Sequence, residues 1–284
     1  MTPDEYCRDK TAKSGSSFYY SFLFLPEQQR QAIIALYAFC REVDDTVDEI
    51  TDPDVARSKL EWWRQEIQNT FNSKATHPVG KALQTALQHF DLHQEYFMEI
   101  IDGMAMDLEH FSYPEFKQLA LYCHRAASVV GLLSVEIFGY KNRKTLNYAE
   151  NLGMALQLTN IIRDVREDAE RGRIYLPQDE LQQFHVNGDD ILALKSTPEL
   201  IELLKFQAAR ARRYYQQAMQ ALPDEDRYTQ RTGLIMAAIY EATLDEIERD
   251  DFQVMRHRVS LTPIKKLWIA WRTARREKHL HRHR

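Results

Sequence analysis

Four polar side chains between residues 157 and 168 are spaced so that they could act together on one ligand. They follow one another at intervals of three, four and four residues: Gln157, Asn160, Asp164 and Asp168. On an α-helix this spacing places all four on one face. Two carboxylates one turn apart, with about 6 Å between their Cβ atoms, repel each other unless solvent, a cation or a basic partner lies between them. The pattern therefore predicts a ligand-binding face rather than an ordinary core face.

A second stretch of the chain repeats the pattern. Its polar members step by four, three and four residues: Tyr37, Arg41, Asp44 and Asp48. If the two D-x-x-x-D helices face each other across a cavity, four carboxylates converge there. Mg²⁺ typically keeps several waters and is bound by a few carboxylates together with substrate phosphates. The two stretches therefore predict a site for a diphosphate bridged by Mg²⁺, with Mn²⁺ as an alternative ion.

The composition indicates which elements must position these residues. The 284-residue chain has only nine Gly and nine Pro, and its apolar residues recur mainly at intervals of three and four, which favours an all-α protein. No linker rich enough to separate domains is present. The helices are predicted at about 26–50, 54–72, 78–92, 93–110, 114–138, 143–168, 197–221 and 227–256.

Cellular location is also constrained by the sequence. No run of roughly 18 or more uncharged apolar residues occurs, so no membrane-spanning helix is expected. The first residues lack the apolar region of a secretory signal. The three cysteines, Cys7, Cys40 and Cys123, are an odd number without metal-ligand spacing, which predicts reduced thiols in a cytoplasmic protein.

The net charge of -5 hides an asymmetry along the chain. Residues 256–284 contain ten Lys or Arg and one acidic residue, so the preceding part is strongly acidic. An acidic body with a basic tail is not typical of a nucleic-acid-binding protein. The tail also contains Leu267, Trp268, Ile269 and Trp271, and this mixture suits peripheral contact with the anionic inner face of a membrane. The alternative is a last helix that packs on the domain and has a solvated end.

Other chemistries of helical proteins lack their sequence signatures here. There is no Glu-x-x-His of a di-iron bundle, no His-Asp pair, no G-x-G-x-x-G, no Walker A motif and no Cys-x-x-Cys. The Ser and Gly cluster at 14–17 could meet a phosphate, although spacing alone favours the reading in which its serines cap the next segment. Asp107, next to apolar residues, is a further candidate site residue.

Longer motifs resemble one known family. They are F-Y-Y-S-F-L-F-L-P, A-L-Y-A-F-C-R-E-V-D-D-T-V-D, L-Y-C-H-R-A-A-S-V-V-G and L-G-M-A-L-Q-L-T-N-I-I-R-D-V-R-E-D-A-E-R-G-R-I-Y-L-P. In this order they resemble the squalene/phytoene synthase family over residues 6–260. The first motif and the ending I-E-R-D-D-F-Q-V-M-R-H-R-V-S-L are most similar to the bacterial presqualene diphosphate synthases of hopanoid pathways.

The resemblance implies a fold and an activity. Residues 1–260 would form a single-domain, isoprenoid synthase-type helical bundle around a central cavity, and residues 261–284 a basic amphipathic tail. The enzyme would be a Mg²⁺-dependent prenyltransferase that joins two farnesyl diphosphates head to head (1'-2-3) into presqualene diphosphate and diphosphate. NADPH is not expected in this half-reaction, and downstream enzymes of squalene synthesis are candidate partners.

The family roles transfer to matching positions. Asp44, Asp48, Asn160, Asp164 and Asp168 would hold the Mg²⁺ ions. Phosphate oxygens would be bound by Arg41 and Arg258, arginine being suited to bidentate contacts, and the same end would be lined by Ser17, Tyr37, Gln157 and Tyr240. The Tyr-Cys-His segment implies that Tyr122 guides the carbocation, which Phe18 would also face.

Two departures from the family pattern and three alternatives are retained. Ser128 replaces a family Gly, and Ser14 stands where some relatives have His, which affects chain length and product more than diphosphate binding. A full squalene synthase or a phytoene/dehydrosqualene-type synthase would use the same motifs. A non-catalytic assembly factor of the same fold is the third alternative, against which the four retained aspartates count. The choice between C15 and C20 substrates depends on side chains at the cavity floor.

Overall fold

The computed structural model describes residues 1–13, 18–109 and 112–283, and these ranges are helical without a β-strand. The first half contains α1 Pro3–Lys13, α2 Phe18–Phe22, α3 Glu27–Glu49, α4 Pro53–Phe71, α5 Pro78–Leu87, α6 Gln94–Glu109, α7 Phe116–Cys123, a π-helical segment His124–Ser128 and α8 Val129–Phe138. The second half contains α9 Lys144–Arg163, α10 Val165–Glu170, α11 Gln178–Gln183, α12 Gly188–Leu192, α13 Pro198–Ala221, α14 Arg231–Arg249, a 3₁₀ turn Gln253–Met255 and α15 Pro263–Arg282. The predicted all-α class is confirmed.

Several helices begin where the sequence supplies a cap followed by proline. The Asp52 carboxylate accepts hydrogen bonds from the first turn of α4, and the Thr197 and Thr262 hydroxyls do the same for α13 and α15. In each case proline follows, where its missing N–H costs nothing. The predicted bounds hold within a few residues for α3, α4, α6 and α13, whereas α5 ends earlier than expected and α14 is shorter at both ends.

The predicted continuous helix at 143–168 is broken at Asp164. This residue leaves helical geometry, with φ -103° and ψ 12°, between α9 and α10. Its carboxylate is bound by the guanidinium of its neighbour Arg163, at 2.8 Å from Nε. Adjacent residues do not face each other on a straight helix, so this pairing requires the local departure. The backbone N–H of Asp164 still donates to the Asn160 carbonyl at 2.8 Å, which keeps the two helices nearly in line.

The predicted helix at 114–138 is interrupted by the π-helical segment, which packs directly on the α9 backbone. The Ser128 hydroxyl donates to the Glu150 carbonyl at 2.8 Å. A Cβ atom at Gly153 would lie 2.5 Å from the Ser128 Cα and 2.8 Å from the Ala127 carbonyl oxygen. Single π-helical turns occur frequently at functional sites, and here the turn presents Ala126 and Ala127 to a cavity.

The core is divided into two apolar clusters. The first, built mainly on α3 to α6 and α8, buries Phe39, Trp63 and Phe97. The second, built mainly on α9, α13 and α14, buries Tyr148 and Tyr215. Residues of both clusters line one cavity between them, so the predicted arrangement of a helical bundle around a central cavity is confirmed.

The segment Phe116–Phe138 is long and apolar enough to cross a membrane by length and composition, with a mean hydropathy of 1.3. The sequence analysis expected no such helix. Half of the segment is buried within the fold, and Ala126, Val130 and Val135 line the cavity. Core helices have the same composition, and we assign this one to the core.

The last helix, α15, packs against α14 and also contacts α2. Its inner face buries Ala270, Ala274 and Glu277, and the Glu277 carboxylate accepts two hydrogen bonds from Arg227, each of 3.1 Å. The tail therefore packs on the domain through one face. The outer face of the helix remains exposed.

Gly153→Ala should destabilise the protein by about 1–3 kcal/mol, because the added methyl group overpacks a backbone-to-backbone contact. Urea unfolding followed by circular dichroism measures this loss. Gly188→Ala is the control, since a Cβ atom there would meet its nearest neighbour, Ile174 Cδ1, at 3.5 Å. Equal loss of stability in the two variants would contradict the proposed packing.

Candidate active site

The cavity between the two clusters has a volume of about 550 Å³ and a strongly charged part. Four aspartates and five arginines line it there: Asp44, Asp48, Asp164, Asp168, Arg41, Arg163, Arg171, Arg173 and Arg258. Aromatic and aliphatic side chains line much of the remainder: Phe22, Leu36, Val130, Val135, Phe138, Leu152, Leu156 and Met236. The cavity can therefore accommodate a ligand with an anionic head and an apolar chain.

The two aspartate pairs face the same space, as the spacing predicted. Arg173, in the loop after α10, donates from Nη1 to Asp48 on α3 at 2.8 Å and from Nη2 to the Val47 carbonyl at 3.0 Å. Arg171 lies 3.6 Å from the other Asp48 oxygen. The loop after α10 therefore ties the second aspartate helix to the first.

Sequence reasoning missed Arg163, Arg171 and Arg173. The available signal was the R-G-R sequence directly after the second aspartate pair. Gly172 has φ +76°, a left-handed conformation that glycine adopts without steric cost. The chain can therefore turn sharply between the two arginines, both of which reach Asp48.

The ion pairs distinguish the four carboxylates. Arg41 Nη1 donates to Asp44 at 2.5 Å. The Nε atoms of Arg163 and Arg258 both donate to Asp164 Oδ1, at 2.8 and 2.9 Å. Arg258 also lies 3.4 Å from Glu167. Within the described ranges Asp168 is the one aspartate of the four that has no ion pair.

The pKa values of these carboxylates diverge accordingly. Burial, with the negative charge of Asp164, raises the pKa of Asp168 to about 8. Burial raises the pKa of Asp44 to about 6, against the opposing effect of Arg41. Burial alone would raise the pKa of Asp164, but the guanidinium groups of Arg163 and Arg258 have the larger effect and lower this pKa. Near neutral pH, and without a ligand, Asp164 and Asp168 together therefore carry one negative charge.

The oxygen donors on this wall fit a hard divalent cation. The Asn160 Oδ1 atom is buried and has no hydrogen-bond partner, while Asn160 Nδ2 donates to Gln157 at 3.4 Å. Asp168, which lacks a cationic partner, lies one turn beyond Asp164. In the part of the chain that the structure describes, no three acidic, His or Cys side chains form a group that could hold a metal ion. Binding of Mg²⁺ together with substrate phosphates and water needs fewer protein ligands than such a group.

A buried acid and three tyrosines adjoin the charged part. Asp107 on α6 is 4% exposed and accepts hydrogen bonds from the hydroxyls of Tyr122 at 3.1 Å and Tyr175 at 2.7 Å. The rings of Tyr113 and Tyr175 stack at 5.9 Å. Asp107, Tyr122 and Tyr175 all line the cavity. Tyr122 and Asp107 were predicted as candidates, whereas the other two tyrosines were not.

The remaining predicted residues divide into three groups. Phe18 and Tyr37 line the cavity with ring centroids 5.4 Å apart, and Gln157 also lines it. Tyr240 is buried, lies edge-on to Phe18 at 6.3 Å and forms a side-chain hydrogen bond with Arg163, so it supports two residues that line the cavity; its contact with substrate stays a prediction. Ser17 lies outside the described residues.

Comparisons with known proteins agree with this fold and cavity. The sequence model of the squalene/phytoene synthase family matches residues 11–265. The phytoene synthase of Arthrospira platensis is 36% identical over 93% of this chain and 89% of its own length. That of Mycobacterium tuberculosis is 37% identical over 92% of this chain and 86% of its own.

Solved structures show the same architecture. A dehydrosqualene synthase in complex with a ligand superposes with a TM-score of 0.86 and 25% identity, over 98% of this chain and 97% of that one. The squalene synthase HpnC from Alicyclobacillus acidocaldarius superposes with a TM-score of 0.78 and 29% identity, over 88% of this chain and 94% of that one. The all-α fold and the cavity with one charged and one apolar part are those of the isoprenoid synthase class. The chain belongs to the squalene/phytoene synthase family, whose members are prenyltransferases.

Asp107 should make stability depend on pH. Burial raises its pKa from the usual 3.8 to about 7, so the folded state binds the proton more tightly than the unfolded state. The stabilising effect of that proton is complete below about pH 4 and is lost as the pH rises through 7. Relative to Asp107→Asn, the wild-type free energy of unfolding should therefore fall by on the order of 2 kcal/mol across this window. Urea titrations from pH 4.5 to about 8 measure the difference, and a parallel pH dependence of both proteins would contradict the assignment.

Proposed function

We propose that this protein is a presqualene diphosphate synthase that condenses two farnesyl diphosphates. The observation that carries the proposal is one cavity of about 550 Å³ in which two aspartate pairs and five arginines adjoin apolar side chains. Such a cavity can hold anionic diphosphates at one side and prenyl chains at the other. Family membership and the likeness to a dehydrosqualene synthase and a squalene synthase support this reading.

The charged part of the cavity binds the diphosphates. Arg41, Arg163, Arg171, Arg173 and Arg258 supply donors for phosphate oxygens, and Arg173 is already oriented by Asp48 and the Val47 carbonyl. Asp44, Asp48, Asn160, Asp164 and Asp168 would hold Mg²⁺. When bound, Mg²⁺ neutralises phosphate charge and makes diphosphate a better leaving group. Fixed charges in a site shielded from water stabilise that group more strongly than water does.

The chemical change proceeds through a carbocation. The C1–O bond of one farnesyl diphosphate breaks, and its electron pair leaves with diphosphate. The double bond of the second farnesyl diphosphate then attacks the resulting allylic cation, and loss of a proton closes the cyclopropane ring of presqualene diphosphate. Released diphosphate is the proposed proton acceptor.

The chain's own residues hold the cation rather than react with it. The faces of Phe18 and Tyr37 offer cation–π stabilisation. The Tyr122 and Tyr175 hydroxyl hydrogens are directed to Asp107, so their oxygen lone pairs remain for the rest of the surroundings. Burial and the negative charge of Asp107 raise the pKa of Tyr122 well above its usual value, which keeps the hydroxyl neutral. Tyr122 is therefore proposed to orient and stabilise the cation.

A phytoene-type synthase acting on C20 geranylgeranyl diphosphate is the second candidate. It is favoured by the names of the curated relatives, which are phytoene synthases at 36% and 37% identity. Both candidates use the same charged site and differ in the length of chain that the apolar part accepts.

The cellular setting follows from the proposed reaction. We infer a cytoplasmic enzyme that supplies presqualene diphosphate to downstream enzymes of squalene and hopanoid synthesis. Because the first half-reaction transfers no hydride, NADPH is not required for it.

Purified protein incubated with farnesyl diphosphate and Mg²⁺, without NADPH, should form a C30 cyclopropyl diphosphate. Mass spectrometry before and after phosphatase treatment identifies this product. Turnover of geranylgeranyl diphosphate alone would establish the phytoene-type reaction instead. Inertness towards both substrates would contradict catalysis altogether, and conversion to squalene after addition of NADPH would identify a full squalene synthase.

Asp168→Asn tests whether this carboxyl serves as an anionic ligand. Without a ligand its pKa is about 8, and the neutral amide resembles the protonated acid. If Asp168 ionises to bind Mg²⁺, the variant should lose roughly 100-fold or more in kcat/KM and need a higher Mg²⁺ concentration, since removal of one stabilising charge or donor typically costs this much.

Glu170→Gln is the matched control for that experiment. It lies on the same helix, is 46% exposed and pairs with Arg166 at 2.9 Å, and we expect near wild-type activity from it. Wild-type activity and Mg²⁺ dependence in Asp168→Asn would show that Asp168 acts as a neutral group and holds no metal.

A further inference from the structure

The outer face of α15 carries an apolar stripe that no part of the described chain covers. Four residues at positions i, i+3, i+4 and i+7 form it: Ile264, Leu267, Trp268 and Trp271. Their exposed fractions are 80%, 44%, 52% and 49%. The inner face of the same helix already packs on the domain through Ala270, Thr273, Ala274 and Glu277, so the outer stripe is not needed for the packing of the helix. An ordinary surface helix has an apolar stripe on its inner side only.

Basic side chains border the stripe and have no acidic partner. Arg272 lies over the Trp268 ring at 5.1 Å and Arg275 over the Trp271 ring at 5.2 Å. Across the described ranges neither of them forms an ion pair, nor does Lys278. The basic residues on the inner side differ, since Lys265 binds Glu246 at 2.8 Å and Arg276 binds Glu277 at 2.9 Å. The uncompensated positive charge is therefore concentrated beside the apolar stripe.

The apolar surface continues onto α2, next to the cavity wall. Tyr19 on α2 and Leu23 directly after this helix are 40% and 43% exposed, and α2 contacts α15. Lys266 Nζ lies 5.9 Å from the centroid of the Tyr20 ring. Phe18, at the start of the same short helix, lines the cavity. The exposed surface and the cavity thus share α2 as a common wall.

We propose that the stripe on α15, together with Tyr19 and Leu23, docks on the surface of an anionic lipid bilayer. Tryptophan and tyrosine favour the boundary between lipid headgroups and acyl chains. Lys and Arg beside them attract anionic headgroups. A second copy of the chain is a poorer occupant, because a two-fold contact would bring the same unpaired arginines against each other. This inference goes beyond the proposed reaction and does not depend on it.

Co-sedimentation with lipid vesicles tests the proposal without any turnover. The full chain should bind vesicles in which roughly a third of the phosphatidylcholine is replaced by phosphatidylglycerol, and should bind pure phosphatidylcholine at least about tenfold more weakly. Binding should weaken at high salt, because salt screens exposed charges. Equal affinity for both vesicle types, or binding to neither, would overturn the proposal.

Two double variants and one control distinguish binding through the stripe from nonspecific binding by an exposed tryptophan. Trp268→Ser/Trp271→Ser should reduce binding roughly tenfold or more. Trp62→Ser should not, although Trp62 is 38% exposed and also has a cation over its ring, Lys59 Nζ at 4.2 Å. Arg272→Gln/Arg275→Gln leaves the packing of α15 unchanged and should remove most of the preference for anionic vesicles.

The remaining outcomes are also decisive. If the double tryptophan variant fails to fold, as judged by circular dichroism, the arginine variant alone decides, and undiminished anionic preference in it refutes the docking surface. Light scattering tests the other occupant: a dimer of the wild-type chain that dissociates in the double tryptophan variant would assign the stripe to a second copy.

Discussion

The mutual repulsion of buried carboxylates is the constraint on which the rest of this structure depends. Aspartates from α3 and α10 converge on one cavity, where their charges can be tolerated only if cations neutralise them. The neutralising arginines come from α3, the end of α9, the loop after α10 and the segment before α15. These elements must be held in fixed positions for the pairing to exist. Asp168 has no cationic partner, and burial together with the charge of Asp164 raises its pKa to about 8 instead.

The apolar part of the cavity depends on close backbone packing. Gly153 lets α9 approach the π-helical segment until Ser128 and Ala127 are in contact with it, and Ser128, which departs from the family's glycine, is held by its hydroxyl on the Glu150 carbonyl. The wall of the cavity is thus made by two backbones rather than by two layers of side chains. Interiors packed at this density transmit small changes of volume, so a one-atom difference here shifts the space available to a prenyl chain.

Sequence periodicity predicted the helices and the aspartate faces because both depend on local spacing. Asp44, Asp48, Asp164 and Asp168 share a cavity as expected, since each pair has one face to present. Arg173 could not be assigned in the same way, because its partner Asp48 lies 125 residues away. The surroundings of Tyr240 were equally hidden, because its neighbours Phe18 and Arg163 come from other helices.

The charged and apolar parts of the cavity differ in how much they reveal about substrate. Diphosphate recognition is the same for C15 and C20 substrates, so relatives with different products can share the aspartates and arginines. Away from the charged part, Phe22, Tyr148, Gln230 and Thr232 also line the cavity. These residues come from α2, α9 and the start of α14, and no motif unites them in sequence. Three of them carry buried polar atoms without a hydrogen-bond partner among the described residues, and such atoms are costly against hydrocarbon. A prenyl chain is therefore favoured most where it avoids them, and this preference limits how deeply it can extend.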